Sequence, residues 1–195
     1  PRARLMRLDH LVVTAPTLEE GTAWAEARLG LPLDPGGRHD AFATHNRLLS
    51  LGPGLYLEVI APEPGPAPRP RWFGLEAPGP PRLAHWVVRV DDLDAALAAR
   101  PEAGEALSLA RGPFSWRVAV PPSGALPPHG LPTLIQWTGP HPADRLPDRG
   151  VRLLSLSLRT PRPELLPLRD PRVAVTPGPA GLSARLRTPQ GEAAL

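Results

Sequence analysis

One stretch of the chain occurs twice, and this limits the fold more than any other feature. Leu8-Asp9-His10-Leu11-Val12-Val13 returns about 75 residues later as Leu83-Ala84-His85-Trp86-Val87-Val88. Each copy is short, apolar or β-branched, and carries one histidine, the pattern of a strand with a buried face. Each leads into a helix start. Thr17, with Glu20 three residues on, forms a capping box behind Pro16, and Asp91-Asp92-Leu93-Asp94 opens the second helix, which is expected to run through Arg100. The first helix is expected to reach Arg28 or Leu29, to stop at Gly30, and to bury Leu18, Trp24 with Ala25, and Leu29.

Three strand-like runs follow each helix. In the first round they are 36–44, 47–51 and 55–60, with Gly52-Pro53-Gly54 as a hairpin turn between the last two. In the second they are 106–111, 115–120 and 133–138. The unit is therefore βαβββ, present twice, at a period longer than the usual solenoid repeats. An incomplete third round follows: a strand at 151–159 with Ser155 where the earlier copies have histidine, a short helix at 163–168, and strands at 172–176 and 181–188. The expected organisation is residues 1–81 as the first module with a proline-rich linker, 82–149 as the second, and 150–195 as a partial third. The fold class is α+β.

Composition removes several alternatives. The 30 prolines and 18 glycines approach the level at which disorder is suspected, but they cluster between the strand-like runs and read as connections. No cysteine is present, which excludes disulfides, thiolate metal sites and a cysteine nucleophile. All 22 basic residues are arginine, so a lysine Schiff base and a P-loop lysine are excluded too. The arginines are scattered among acids and prolines without a basic stripe, and no nucleic-acid partner is expected. No run approaches the length of a membrane span, and the basic N-terminus is not followed by the apolar stretch of a signal peptide. A soluble, cytoplasmic protein without membrane association is the expectation. No G-x-S-x-G elbow points to a serine hydrolase, and no G-x-G-x-x-G opens a helix after a strand.

The polar residues inside these strands carry the functional question. His10 opens the first module and Glu58 lies in its last strand; His85 opens the second module and Gln136 lies in its last strand. A polar side chain in a buried strand requires a partner. Two imidazoles, a carboxylate and an amide oxygen pointing inward would suit a divalent metal, with nickel, zinc, manganese and iron all compatible. The structural alternatives stay open: strand histidines held by ordinary hydrogen bonds, and Glu58 paired with Arg47 on the neighbouring strand. His39 and His45 flank Asp40 and are candidates for acid–base work, against a turn held by Asp40, His45 and Asn46. Gly36-Gly37 reads as a turn. His129 and His141 sit in proline-rich loops and are expected at the surface. Trp24 and Trp86 are expected in the core. Trp72, in a loop that can fold over a cavity, and Trp137 are candidates to line an apolar pocket.

The paired histidine-bearing strands, the βαβββ repeat, and Glu58 and Gln136 resemble the vicinal-oxygen-chelate superfamily, which includes glyoxalase I, extradiol dioxygenases and fosfomycin-resistance proteins. The resemblance covers roughly residues 7–140. The run from Gly36-Gly37-Arg38-His39-Asp40 through Thr44-His45-Asn46 to Tyr56-Leu57-Glu58, the strand Leu134-Ile135-Gln136-Trp137 and the tail around Thr188-Pro189-Gln190-Gly191 look more narrowly like glyoxalase-like domain proteins of unassigned activity. The resemblance implies a cupped, partly open mixed β-sheet barrel with helices outside. It places His10, Glu58, His85 and Gln136 on the four metal positions and makes Glu58 both ligand and base, a catalytic candidate beside His45 and His39 from the reading above. It implies a metal-dependent isomerase or lyase acting on a small oxygenated substrate, or a metal-free protein that binds or sequesters a small molecule. Where glyoxalase I commonly has a glutamate base this chain has Gln136, which has no useful basicity. Sites of this fold are completed across a homodimer or by pairing modules within one chain, and both arrangements stay open.

Overall fold

The computed structural model describes residues 6–166 and 168–195. The first five residues, and Pro167 within the expected 163–168 helix, lie outside the described residues.

The first strand, β1 (Arg7–Thr14), is followed by α1 (Leu18–Leu29) and by β2 (Asp34–His39), β3 (Thr44–Ser50) and β4 (Tyr56–Pro62). The order then repeats as β5 (Arg82–Arg89), α2 (Leu93–Ala99), β6 (Glu105–Arg111), β7 (Phe114–Val120) and β8 (Thr133–Thr138). These eight strands make one curled mixed sheet in the order β2-β3-β4-β1-β5-β8-β7-β6. β1 and β5 lie antiparallel at its centre, and each pairs in parallel with the last strand of its own round, β4 and β8. The repeat in the sequence is thus a two-fold arrangement in space, with His10 and His85 on adjacent central strands. Among the described residues no helix is long and apolar enough to cross a membrane.

The helices obey their end signals. Thr17 Oγ1 accepts from the amide of Glu20 at 3.2 Å, and Gly30 closes α1 at φ 71°, a conformation that favours glycine. Thr17→Ala should lower stability by about 1 kcal/mol, read as a shifted urea midpoint with an unchanged slope. The buried stripe of α1 is Gly21, Ala25 and Leu29. Trp24 is not in the core as expected: it is half-buried, with the Arg28 guanidinium 4.0 Å above its ring. Gly21 is required because a Cβ there would come within 2.8 Å of both Ala15 and Val59.

The final segment forms a separate four-stranded sheet, β10-β9-β11-β12, built from β9 (Arg152–Thr160), β10 (Val173–Pro177), β11 (Gly181–Thr188) and β12 (Gly191–Ala194). The last of these was not anticipated. In place of a short helix at 163–168 there is a single 3-10 turn at Pro163–Leu165.

The large sheet divides the apolar residues into two groups. Its outer face carries Leu11, Val13, Leu57, Val59, Trp86 and Val88, packed with α1 and with Leu153, Leu156 and Leu186 of the small sheet. Its inner face carries Val12, Ile60, Val87, Val118 and Ile135, covered by Phe42, Trp72 and Phe73. The second group lines a cup.

Candidate functional site

Two departures from strict alternation decide what enters the cup. The pairing of β1 with β5 slips between Leu8 and His10. Such a bulge leaves one residue extra, so Asp9 and His10, adjacent in sequence, both turn inward while Leu8 packs outside. Asp9 is fully buried. Its Oδ1 lies 2.7 Å from His10 Nδ1, and its Oδ2 accepts from Trp137 Nε1 at 3.1 Å and meets His141 Nε2 at 3.0 Å. Arg89 Nε stands 3.2 Å from the same oxygen as an ion pair of poor hydrogen-bond alignment. His141, expected at the surface, is therefore a buried anchor of the network.

The second departure lies in β2, whose pairing with β3 slips between Pro35 and Arg38. At Gly36 a Cβ would stand 2.4 Å from the backbone oxygen of Asn46, and at Gly37 it would stand 2.8 Å from Arg111 Cδ. The glycine pair lets Asn46 and the Arg111 side chain lie against the strand. Asn46 Oδ1 then accepts from the Gly37 amide at 2.8 Å and from Arg111 Nη1 at 3.4 Å, while its Nδ2 donates to Glu58 Oε1 at 2.6 Å.

Glu58 and His10 face each other across the cup, Oε2 to Nε2 at 3.5 Å, with His10 stacked on Tyr56 at 4.5 Å. Burial alone would drive His10 neutral, but the hydrogen bonds and charges of Asp9 and Glu58 outweigh it and raise its pKa to about 9. Burial likewise pushes Glu58 up, and His10, with Asn46, more than reverses this, so its carboxyl stays ionised down to about 2. Asp9 is held well below the usual carboxylate range, its burial outweighed by the same histidine and by His141. His39 is neutral: burial, reinforced by Arg111 against the pull of Glu58, depresses it to about 4. Its Nε2 accepts from Arg111 Nη1 at 3.1 Å and its Nδ1 lies 3.3 Å from Thr44 Oγ1.

Of the six site residues expected from the sequence, the cup brings together three, His10, Glu58 and His39. His45 does not reach it. On β3 the inward positions are Asn46 and Leu48, so His45 and Arg47 face away, which also removes the expected pairing of Arg47 with Glu58. Gln136 is displaced for the same reason. In β8 the inward residues are Thr133, Ile135 and Trp137, and Gln136 points to the helix side, where Leu93 N donates to its Oε1 at 3.0 Å and its Nε2 donates to Asp91 O at 3.1 Å. His85 does turn inward, but its Nε2 accepts from the Thr133 amide at 3.1 Å and lies 2.9 Å from the Thr133 hydroxyl. Burial and the charge on His10 depress it to about 3. The four side chains therefore do not form a metal-ligand set: two face each other, one has its lone pair engaged, and one is on the far face. No group of three or more histidines and carboxylates among the described residues is arranged to hold a metal ion.

The wall is aromatic, as expected for Trp72 and Trp137, with Trp116 and Phe73 added. Trp72 stacks on Phe42 at 4.2 Å and donates through Nε1 to Thr44 Oγ1 at 3.1 Å. Its loop is clamped by Arg71, which donates to the carbonyls of Ala43, Glu63 and Gly65. Packed this way, the rings leave an inner cavity of only about 30 Å³. At its mouth Leu48, Arg111 and Pro142 are shared with an open outer cleft of about 870 Å³.

Similarity to known proteins agrees with the fold. A hypothetical protein from Staphylococcus aureus superposes with a TM-score of 0.59 at 12% identity, over 90% of this chain and 88% of its own. Methylmalonyl-CoA epimerases from Mycobacterium tuberculosis and Streptomyces coelicolor give TM-scores of 0.46 and 0.45, both at 18% identity. They cover 72% and 68% of this chain and 93% and 97% of theirs. No curated protein matches. The family defined by the glyoxalase-like domain matches residues 8–169, which include both βαβββ rounds and the strand that follows them. The chain belongs to this glyoxalase-like domain family.

Proposed function

We propose that the protein binds a small oxygenated organic acid, its acidic head held by Arg111 at the neck of the cup and no resident metal needed. One observation carries this reading. The cup's two buried carboxylates, Asp9 and Glu58, are matched by His10 and Arg89, whereas among the described residues Arg111 meets only neutral partners, His39 and Asn46. A partly buried guanidinium without a counter-ion is a ready partner for a carboxylate, to which it can donate two parallel hydrogen bonds.

The test is tryptophan fluorescence, since three tryptophans line the cavity. Pyruvate, lactate and benzoate are titrated into protein kept in excess EDTA. A saturable change in emission is expected for at least one of them, weakened tenfold or more in Arg111→Gln. Binding that appears only after a divalent metal is added, or that Arg111→Gln leaves intact, would overturn the reading.

A catalytic reading rests on a second observation: Glu58 and His10 face the same cavity. Isomerase or lyase chemistry would then use Glu58 as the group that takes a proton from the substrate carbon. Its ionisation near pH 2 makes it a weak base, so a bound ligand would have to separate it from His10. Exchange of the substrate α-proton into deuterated water, lost in Glu58→Gln with binding retained, is the expected sign. Absence of exchange for every bound acid removes it.

A further inference from the structure

We propose that the outer cleft is a phosphate subsite, so that the ligand is a phosphorylated organic acid with its carboxylate head at the cup and its phosphate ester outside. This rests on the head-group reading above and extends it to the rest of the ligand.

Size comes first. About 30 Å³ accommodates roughly two water molecules, whereas pockets that hold organic ligands run to about 300–1,000 Å³. The outer cleft, at about 870 Å³, is in that range. A ligand whose head reaches the inner cavity must leave its body in the cleft.

Charge comes second. Three arginines line the cleft, Arg38, Arg111 and Arg145, against one acid, Asp40. Arg38 is engaged by Glu63 at 3.0 Å and stands 3.7 Å from Asp40. Arg111 and Arg145 have no carboxylate partner among the described residues. A single exposed arginine is screened and means little. Here one of the two is partly buried at the neck with its side chain against β2, and the other is exposed on a backbone position fixed by a turn. Arg111 lies against the β2 backbone in the space that Gly37 leaves. Arg145 follows a 3-10 turn, Pro142–Asp144, whose preceding residue His141 accepts from the Ala143 amide at 3.2 Å and is tied to Asp9 at 3.0 Å. A phosphate monoester carries close to two charges at neutral pH and offers three acceptor oxygens. With Arg111 occupied by the carboxylate head, such a group suits the unpaired charge of Arg145.

The experiment is calorimetric titration with two matched pairs, glycerate against 3-phosphoglycerate and gluconate against 6-phosphogluconate, with inorganic phosphate as a fifth probe. In at least one pair the phosphorylated acid should bind the native protein tenfold or more tightly than its partner. In Arg145→Ala, an exposed position where folding is not at stake, that ratio should fall towards one. If the plain acids bind and phosphate adds nothing, or the ratio survives in Arg145→Ala, the subsite is overturned while the head-group reading stands. If inorganic phosphate binds as tightly as the phosphorylated acids and Arg145→Ala weakens it, the cleft stands and the carboxylate head falls. If nothing binds, both fall.

Discussion

Asp9→Ala is expected to destabilise the fold more than any other single substitution in the cup, by about 3–5 kcal/mol, the cost typical of removing one partner from a buried ion pair. Asp9 is fully buried and receives His10, Trp137, His141 and Arg89 from three strands and a loop. Its loss leaves the His10 imidazole with Glu58 alone on its Nε2 side, the Arg89 guanidinium without its carboxylate, and two further donors unpaired. Asp9→Asn keeps the shape but not the charge. Its amide nitrogen must also face a donor, so it should still lose roughly 2 kcal/mol or more. Urea unfolding of the two variants checks this. An Asp9→Ala midpoint near that of the native protein would mean that the four donors find water, and that the network does not hold the two halves of the sheet together. Two-state behaviour should persist, because the outer-face core is untouched.

Asp9 also shows where the sequence is legible and where it is not. The βαβββ repeat, the caps at Thr17 and Gly30 and the inward histidines on β1 and β5 all follow from local pattern, because each depends on residues a few positions apart. The errors arise where a period of two is carried through a bulge or counted from the wrong residue. Strict alternation puts His10 on the face of Leu8 and sends Asp9 the other way, but the slip at Leu8/His10 turns both polar residues inward. Aligning Leu134–Thr138 with Tyr56–Ile60 sets Gln136 against Glu58, but the parallel registers pair Glu58 with Val12 and Thr133 with Val87, so Thr133 holds the matching inward position. His45 is a candidate for its titratable ring and its nearness to Asp40, and the inward residue beside it is Asn46. Arg111 had no signal at all: it reaches the site from β6, on the far edge of the sheet, through a space defined only by the missing Cβ of Gly37. The pair Gly36-Gly37 reads locally as a turn, and nothing near it in sequence marks the space that another strand's side chain fills. His141 reads as a loop residue because the carboxylate that buries it lies 132 positions away.

The stability of the protein should peak near pH 6.5 and fall on both sides, with the acid side steeper. The charges in the cup fix the signs. His10 titrates near 9 in the folded chain and near 6.5 when unfolded, so the folded state holds an extra proton between those values. Stability from His10 is complete below about pH 6.5 and is lost as the pH rises towards 9, at about 1.4 kcal/mol per pH unit. His39 and His85 behave oppositely. They stay neutral when folded, down to about 4 and 3, while their unfolded forms take up protons below 6.5. Two protons are then bound only on unfolding, and stability falls with decreasing pH at roughly twice that slope. Below about 4.5 Glu58 and Asp9 add to the loss, because both remain ionised in the fold after their unfolded counterparts have protonated. Urea midpoints taken from pH 4.5 to 9 give the curve directly. His10→Gln separates the two limbs: the alkaline decline should flatten while the acid decline, which belongs to His39 and His85, remains. An alkaline limb that persists in His10→Gln would show that His10 is not the charged partner of Glu58. It would then place a neutral imidazole beside two carboxylates of which only Asp9 has an arginine partner, Arg89.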